Sequence, residues 1–119
     1  MNKVFLTGMI AETPTLRMES GEVPHLTMGL SVRHKTRSGE VRSELYRISA
    51  WNNCARWGSD HLKWGQIIGV QGYLTQRRTQ NEKNSVTITE VVAEEIFPMW
   101  QVRTEEDSLV SDSESETAV

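Results

Sequence analysis

Asn52-Asn53-Cys54-Ala55-Arg56-Trp57-Gly58-Ser59-Asp60-His61-Leu62-Lys63 is the one stretch of this chain that reads as a helix, and its position decides the fold. Asn52 or Asn53 can cap its start, and Gly65 stands where it would end. Gly58 sits mid-stretch, where glycine weakens a helix. On both sides of it the apolar period is two, the period of strands. Upstream, Tyr46, Ile48 and Ala50 alternate with Leu45, Arg47, Ser49 and Trp51. Before that, Leu26, Met28, Leu30 and Val32 alternate with Thr27, Gly29 and Ser31, and Val4, Leu6, Gly8 and Ile10 share one face. Downstream, residues 66–75 form a β-rich run whose glycines permit bulges. Val86, Ile88 and Glu90 then face one way, with Thr87, Thr89 and Val91 facing the other.

Turn clusters at Ser20-Gly21, Ser38-Gly39 and Asn81-Glu82-Lys83-Asn84 separate these runs. The order is β-β-β-α-β-β. A helix between the third and fourth strands of a five-stranded set is the OB-fold arrangement, an all-β closed barrel. An SH3-like barrel competes, but it has no need of the helix. Residues 1–103 are expected to form one domain.

The net charge of −3 hides a segregation. Residues 104–119 hold Glu105, Glu106, Asp107, Asp112, Glu114 and Glu116 with no Lys or Arg, so the tail is −6 and the body +3. That segment lacks apolar periodicity and is expected to be disordered. A basic body with an acidic tail points to a nucleic-acid or acidic-partner surface, or to a mildly basic domain with a solubilising tail. Lone Cys54 can form no intrachain disulfide, which fits a reducing compartment. No apolar run approaches the roughly 18 residues of a membrane helix, and the opening Met1-Asn2-Lys3-Val4 does not read as a signal peptide. A cytoplasmic, nucleoid-associated protein is expected.

Catalysis finds little support. Cys54, His25, His34 and His61 fall in no metal-ligand spacing. Cys54 and His61 lie two helical turns apart, too far for a nucleophile–base pair. Glycines occur singly, without a phosphate-cradling pattern. No enzyme activity, cofactor or metal is expected.

Several segments carry a family resemblance. Asn2-Lys3-Val4-Phe5-Leu6-Thr7-Gly8 resembles the opening strand of bacterial single-stranded DNA-binding proteins, and Pro14-Thr15-Leu16-Arg17 their Pro-x-Leu-Arg turn. Ser38-Gly39-Glu40, Gly65-Gln66, Gly69-Val70-Gln71-Gly72-Tyr73-Leu74 and Thr89-Glu90-Val91-Val92-Ala93-Glu94 follow in the family's order. The resemblance covers about residues 2–97. It implies non-sequence-specific binding of single-stranded DNA in replication, recombination or repair, by a homotetramer that recruits other proteins. Ser20-Gly21-Glu22-Val23-Pro24-His25 is similar to a segment of primosomal replication protein N. That second resemblance implies a dimeric adaptor between single-stranded DNA and a helicase. The chain departs from the first family at three stacking positions, which hold Arg33, Leu45 and Thr79, while Trp51 keeps one and Arg77 a neighbouring basic position. The tail ends Ser115-Glu116-Thr117-Ala118-Val119, without that family's terminal Pro-Phe.

Binding a single strand needs cationic side chains for phosphate and flat ones for bases. Arg33, Lys35, Arg47, Trp51, Arg77 and Arg78 are the expected DNA-binding residues. Arg33, Lys35 and Arg37 sit towards the strand two–three connection, Arg47 and Trp51 share the polar face of strand three, and Arg77 and Arg78 lie on the strand four–five hairpin. Other readings stand beside these. Trp51 reads equally as a core or interface residue, Arg47 as an interface residue, and Lys35 and Arg37 as solvated loop charges. Trp57 and Trp64 are expected to close the barrel bottom, and Tyr46 to meet the core or another subunit.

Overall fold

A computed structural model of the chain describes residues 1–101. The acidic segment 104–119 lies outside the described residues. The elements are β1 (Val4–Glu19), β2 (Val23–Lys35), β3 (Val41–Trp51), α1 (Asn52–His61), β4 (Gln66–Gln80) and β5 (Ser85–Gln101). Strand alternation sends Leu26, Met28 and Leu30 of β2 and Ile48 and Ala50 of β3 inward, where they meet Ile10, Ile68, Val70, Val91 and Ala93. The sheet closes in the order β1-β2-β3-β5-β4. Every pairing is antiparallel except the β3–β5 seam, a short parallel match of Ile48 with Val91 and Ser49 with Val92. Among the described residues this is the expected five-stranded barrel with a single helix after the third strand.

α1 closes one end of the barrel, placing Ala55 and Leu62 in the core with Trp57 packed against it. Gly58 is what allows this approach. A Cβ there would lie 2.6 Å from Leu26 Cδ2 and 3.2 Å from Leu62 Cδ1. Leu26 is itself fully buried and has nowhere to swing. Gly58→Ala should therefore lower stability by about 1 kcal/mol, although alanine is the better helix former by about that amount. A thermal melt decides the sign, and a stabilised variant would show that Leu26 can repack.

Several details refine or correct the sequence reading. Pro14-Thr15-Leu16-Arg17 is not a turn but part of β1, which runs on to Glu19. Register shifts between Ile10 and Glu12, and between Glu12 and Thr15, bend the strand so that its first half pairs with β4 and its second with β2. Pro14 falls inside the second shift, where no regular ladder bond is lost for want of an N–H. The helix takes no side-chain cap: Trp51 holds the N-cap position, and Asn52 turns the chain with a left-handed φ of 56°. The sequence left the core face of β5 open; it is that of Val91 and Ala93, and Val86 is exposed at the protruding end of the β4–β5 ribbon. Trp64 does not help close the barrel, being 63% exposed, and of the two readings of Tyr46 the core one fails, since it is exposed with its hydroxyl donating to Glu44 Oε2 at 3.3 Å. Glu44 pushes the Tyr46 phenol above its ordinary range, first by its charge.

Candidate nucleic-acid interface

The pleat places one row of side chains on the outer face of the β2–β3 pair. Lys35 opposes Val41, Arg33 Ser43, Ser31 Leu45, Gly29 Arg47, Thr27 Ser49 and His25 Trp51. The second half of β1 adds Glu12 beside Gly29, Thr15 beside Thr27 and Arg17 beside His25. Across the parallel seam, β5 brings Glu90 next to Arg47, and Arg77 of β4 reaches the same carboxylate.

A cleft of about 480 Å³ opens on this face, lined by Arg17, Glu19, His25, Thr27, Arg47, Trp51, Arg77 and Glu90. A second hollow of about 240 Å³ shares Thr27 and Arg47 with it and extends to Glu12, Gly29 and Leu45. One register pair further along, Arg33 lines a third hollow with Ser31, Ser43, Val41 and Met99. The first two hollows mark a trough along the outer face of β1, β2 and β3, while the third is separate from them and has Thr7 and Met9 of β1, Ile67 of β4 and Met99 of β5 as its far wall.

Glu90 organises the cations. Its side chain is 8% exposed, and a carboxylate so buried requires charged partners. Arg47 Nε donates to Glu90 Oε2 at 3.0 Å, and Arg77 Nε lies 3.7 Å from the same oxygen. Both arginines remain 45% exposed. Both use Nε, so among the described residues their terminal nitrogens keep no protein partner and can serve a phosphate. The Trp51 indole lies parallel to His25, with ring centroids 3.8 Å apart and an interplanar angle of 8°. His25 Nδ1 is 3.2 Å from Glu19 Oε1, and its Nε2 is 2.5 Å from Ser49 Oγ. Trp51 is 38% exposed on the outer face, so it is not a core residue of this chain.

Of the six residues named from sequence, Arg47, Trp51 and Arg77 converge on one cleft. Arg33 and Lys35 share their face further towards the tip of the β2–β3 ribbon. Arg78 does not join them: it pairs with Thr87, one residue on from the Arg77–Ile88 pair, and so faces the other side of the β4–β5 ribbon. Sequence reasoning missed Arg17, His25 and Glu90. Reading residues 14–17 as a turn withheld a register from Arg17. The parity of His25 with Thr27, which puts it on Arg33's face, was the available signal. Burial pushes the Cys54 thiol up, away from the reactive thiolate. No cluster of three or more metal-type ligands occurs among the described residues, and no helix among them is long and apolar enough to cross a membrane.

An OB barrel with an aromatic and guanidinium trough on its outer β1–β2–β3 face defines a class of oligomer-binding domain. A family model described as the single-strand binding protein family matches residues 1–99, and the chain belongs to that family. It is 30% identical over 98 residues to single-stranded DNA-binding protein B of Bacillus subtilis, covering 80% of this chain and 87% of that protein. It is 33% identical over 100 residues to the single-stranded DNA-binding protein of Caldanaerobacter subterraneus, covering 81% of this chain and 66% of that one. Among solved structures, a Plasmodium falciparum SSB in complex with ssDNA superposes with a TM-score of 0.76 at 21% identity, over 83% of this chain and 95% of that chain. At that identity the likeness speaks for the fold.

Proposed function

We propose that this protein binds single-stranded DNA without sequence preference, as a coat in replication, recombination or repair, and makes or breaks no bond. The observation that carries this is the convergence of Trp51 with Arg17, Arg47 and Arg77 on one open cleft. A base offers a π-face to the indole whatever its identity, and the free guanidinium nitrogens suit the phosphates on either side. Family membership supports the same reading. Arg33 and Lys35 extend the phosphate path towards the ribbon tip, and Arg78 serves only a strand that wraps around the β4–β5 ribbon. The protein works in the cytoplasm with the nucleoid, and as a homotetramer, a dimer being the alternative. The exposed, stacked pair Phe5 and Phe97, with ring centroids 6.1 Å apart, supports self-association.

Titration with poly(dT), followed by tryptophan fluorescence, tests the reading. Quenching is expected. If Arg17, Arg33, Arg47 and Arg77 each neutralise a phosphate, the slope of log K against log salt is roughly −3, or about 50-fold weaker binding at 200 mM than at 50 mM salt. No quenching and no complex at low salt would reject it.

A further inference from the structure

We infer that His25 is a positioning residue of the base platform, holding the Trp51 indole flat from beneath so that its other face is presented to a base. This rests on the single-strand reading above. The imidazole is better placed for this than a chance neighbour. The His25–Trp51 rings lie 3.8 Å apart at 8°, against 4.8 Å and 17° for the other His–Trp stack, His61 on Trp57. Both its nitrogens are engaged, one by Glu19 at the end of β1 and the other by Ser49, which is wholly buried in β3. The ring therefore cannot swing away. Its side chain is 13% exposed, so it lies under the indole rather than beside the strand path.

Trp51 needs such a support. It is the last residue of β3, and the chain turns left-handed at Asn52 immediately after it. No residue further along the strand confines the indole. Its antiparallel partner across β2–β3 is His25, directly opposite. Leu45 and Arg33, further along the same face, carry no aromatic ring that could share the stacking. A single indole that was free to rotate would have to be ordered at each encounter. Backing by a pinned ring removes that cost in advance and is expected to change affinity about three- to tenfold.

The experiment uses the full chain and a fluorescently labelled oligo(dT), with binding read by anisotropy so that tryptophan changes do not disturb it. His25→Ala and His25→Gln are expected to weaken binding about three- to tenfold. His25→Phe gives up both polar contacts and so melts at a lower temperature, yet it keeps a ring under the indole and stays within about twofold of the wild-type affinity. In a Trp51→Ala background, His25→Ala is expected to cost nothing further, because its effect runs through the indole. An unchanged affinity in both His25→Ala and His25→Gln overturns the inference. So does a His25→Phe variant as weak as His25→Gln, or an equal penalty for His25→Ala with and without Trp51. If His25→Ala does not fold, the Phe and Gln variants decide alone. Failure of the wild-type protein to bind the oligonucleotide overturns the single-strand reading and the inference with it. Wild-type binding with any of the contrary outcomes overturns the inference alone.

Discussion

Gly72→Ala is expected to lower the melting temperature of this protein by about 10–20 °C, corresponding to roughly 3 kcal/mol. Gly72 pairs with Val4 of β1 and with Ala93 of β5, directly after the register shift that follows Gln71. A Cβ at this position would run into the backbone carbonyl oxygen of Val92, with the carbonyl carbon at 2.8 Å and Ala93 Cα at 3.1 Å. A side chain in that place could change rotamer, but a strand carbonyl cannot. Relief would require β5 to move off β4 at the point where β5 also closes the barrel. That closure is thin, because only Ile48–Val91 and Ser49–Val92 pair across the parallel seam. A displaced Val92 therefore loosens the seam as well as the bulge. The same shift would separate Arg47 from Glu90 and disturb the cleft. Circular dichroism melts of the variant and the wild type measure the difference, and superimposed curves would mean that the backbone yields more easily than this geometry implies.

The barrel was legible because its signal is periodic. Leu26, Met28 and Leu30 alternate, bury and pair as their spacing demands, and one helix in a fixed place selects the topology. The errors lie where a non-local contact overrides a local preference. Proline reads as a turn, yet Pro14 stays within β1 because it falls in a register shift created by the strand's two partners. Gly58 reads as a weak point of the helix, but its lack of a side chain is what lets α1 dock on Leu26. Asn52 reads as a cap and instead adopts the left-handed turn that asparagine tolerates.

The candidate site was legible only in part, for a related reason. Arg47 and Trp51 could be put on one face from their own strand. Arg77, Glu90 and Arg17 come from three other strands, and their meeting depends on registers that one sequence does not specify. An acid on an anion-binding face reads as an unfavourable residue until the structure shows what it touches. Buried beneath two guanidiniums through their Nε atoms, Glu90 holds them side by side and leaves their outer nitrogens available. Arg47 is thus both a stabilising partner of Glu90 and a candidate phosphate ligand. Its removal would mix a stability effect with a binding effect.

Trp51→Ala leaves the Glu90 cluster intact and is expected to weaken oligo(dT) binding by about 1–3 kcal/mol, some five- to 150-fold, and, through the lost stack on His25, to lower stability by about 1 kcal/mol. The indole is on the outer face, makes no hydrogen bond or ion pair among the described side chains, and contributes nothing to the core cluster. Salt dependence separates its role from that of the arginines. Stacking releases no counterions, so the slope of log K against log salt should be the same for Trp51→Ala as for the wild type, the whole line being displaced downwards. Arg77→Ala removes one candidate phosphate contact while Arg47 remains on Glu90, and should make the slope shallower by about 0.7. Titrations of labelled oligo(dT) at four salt concentrations measure both. Parallel displaced lines for Trp51→Ala require that a base rests on the indole. Coincident lines would return Trp51 to a packing role, leaving phosphate contacts to account for binding, and a changed slope would mean that removing the ring had disturbed the charges around it.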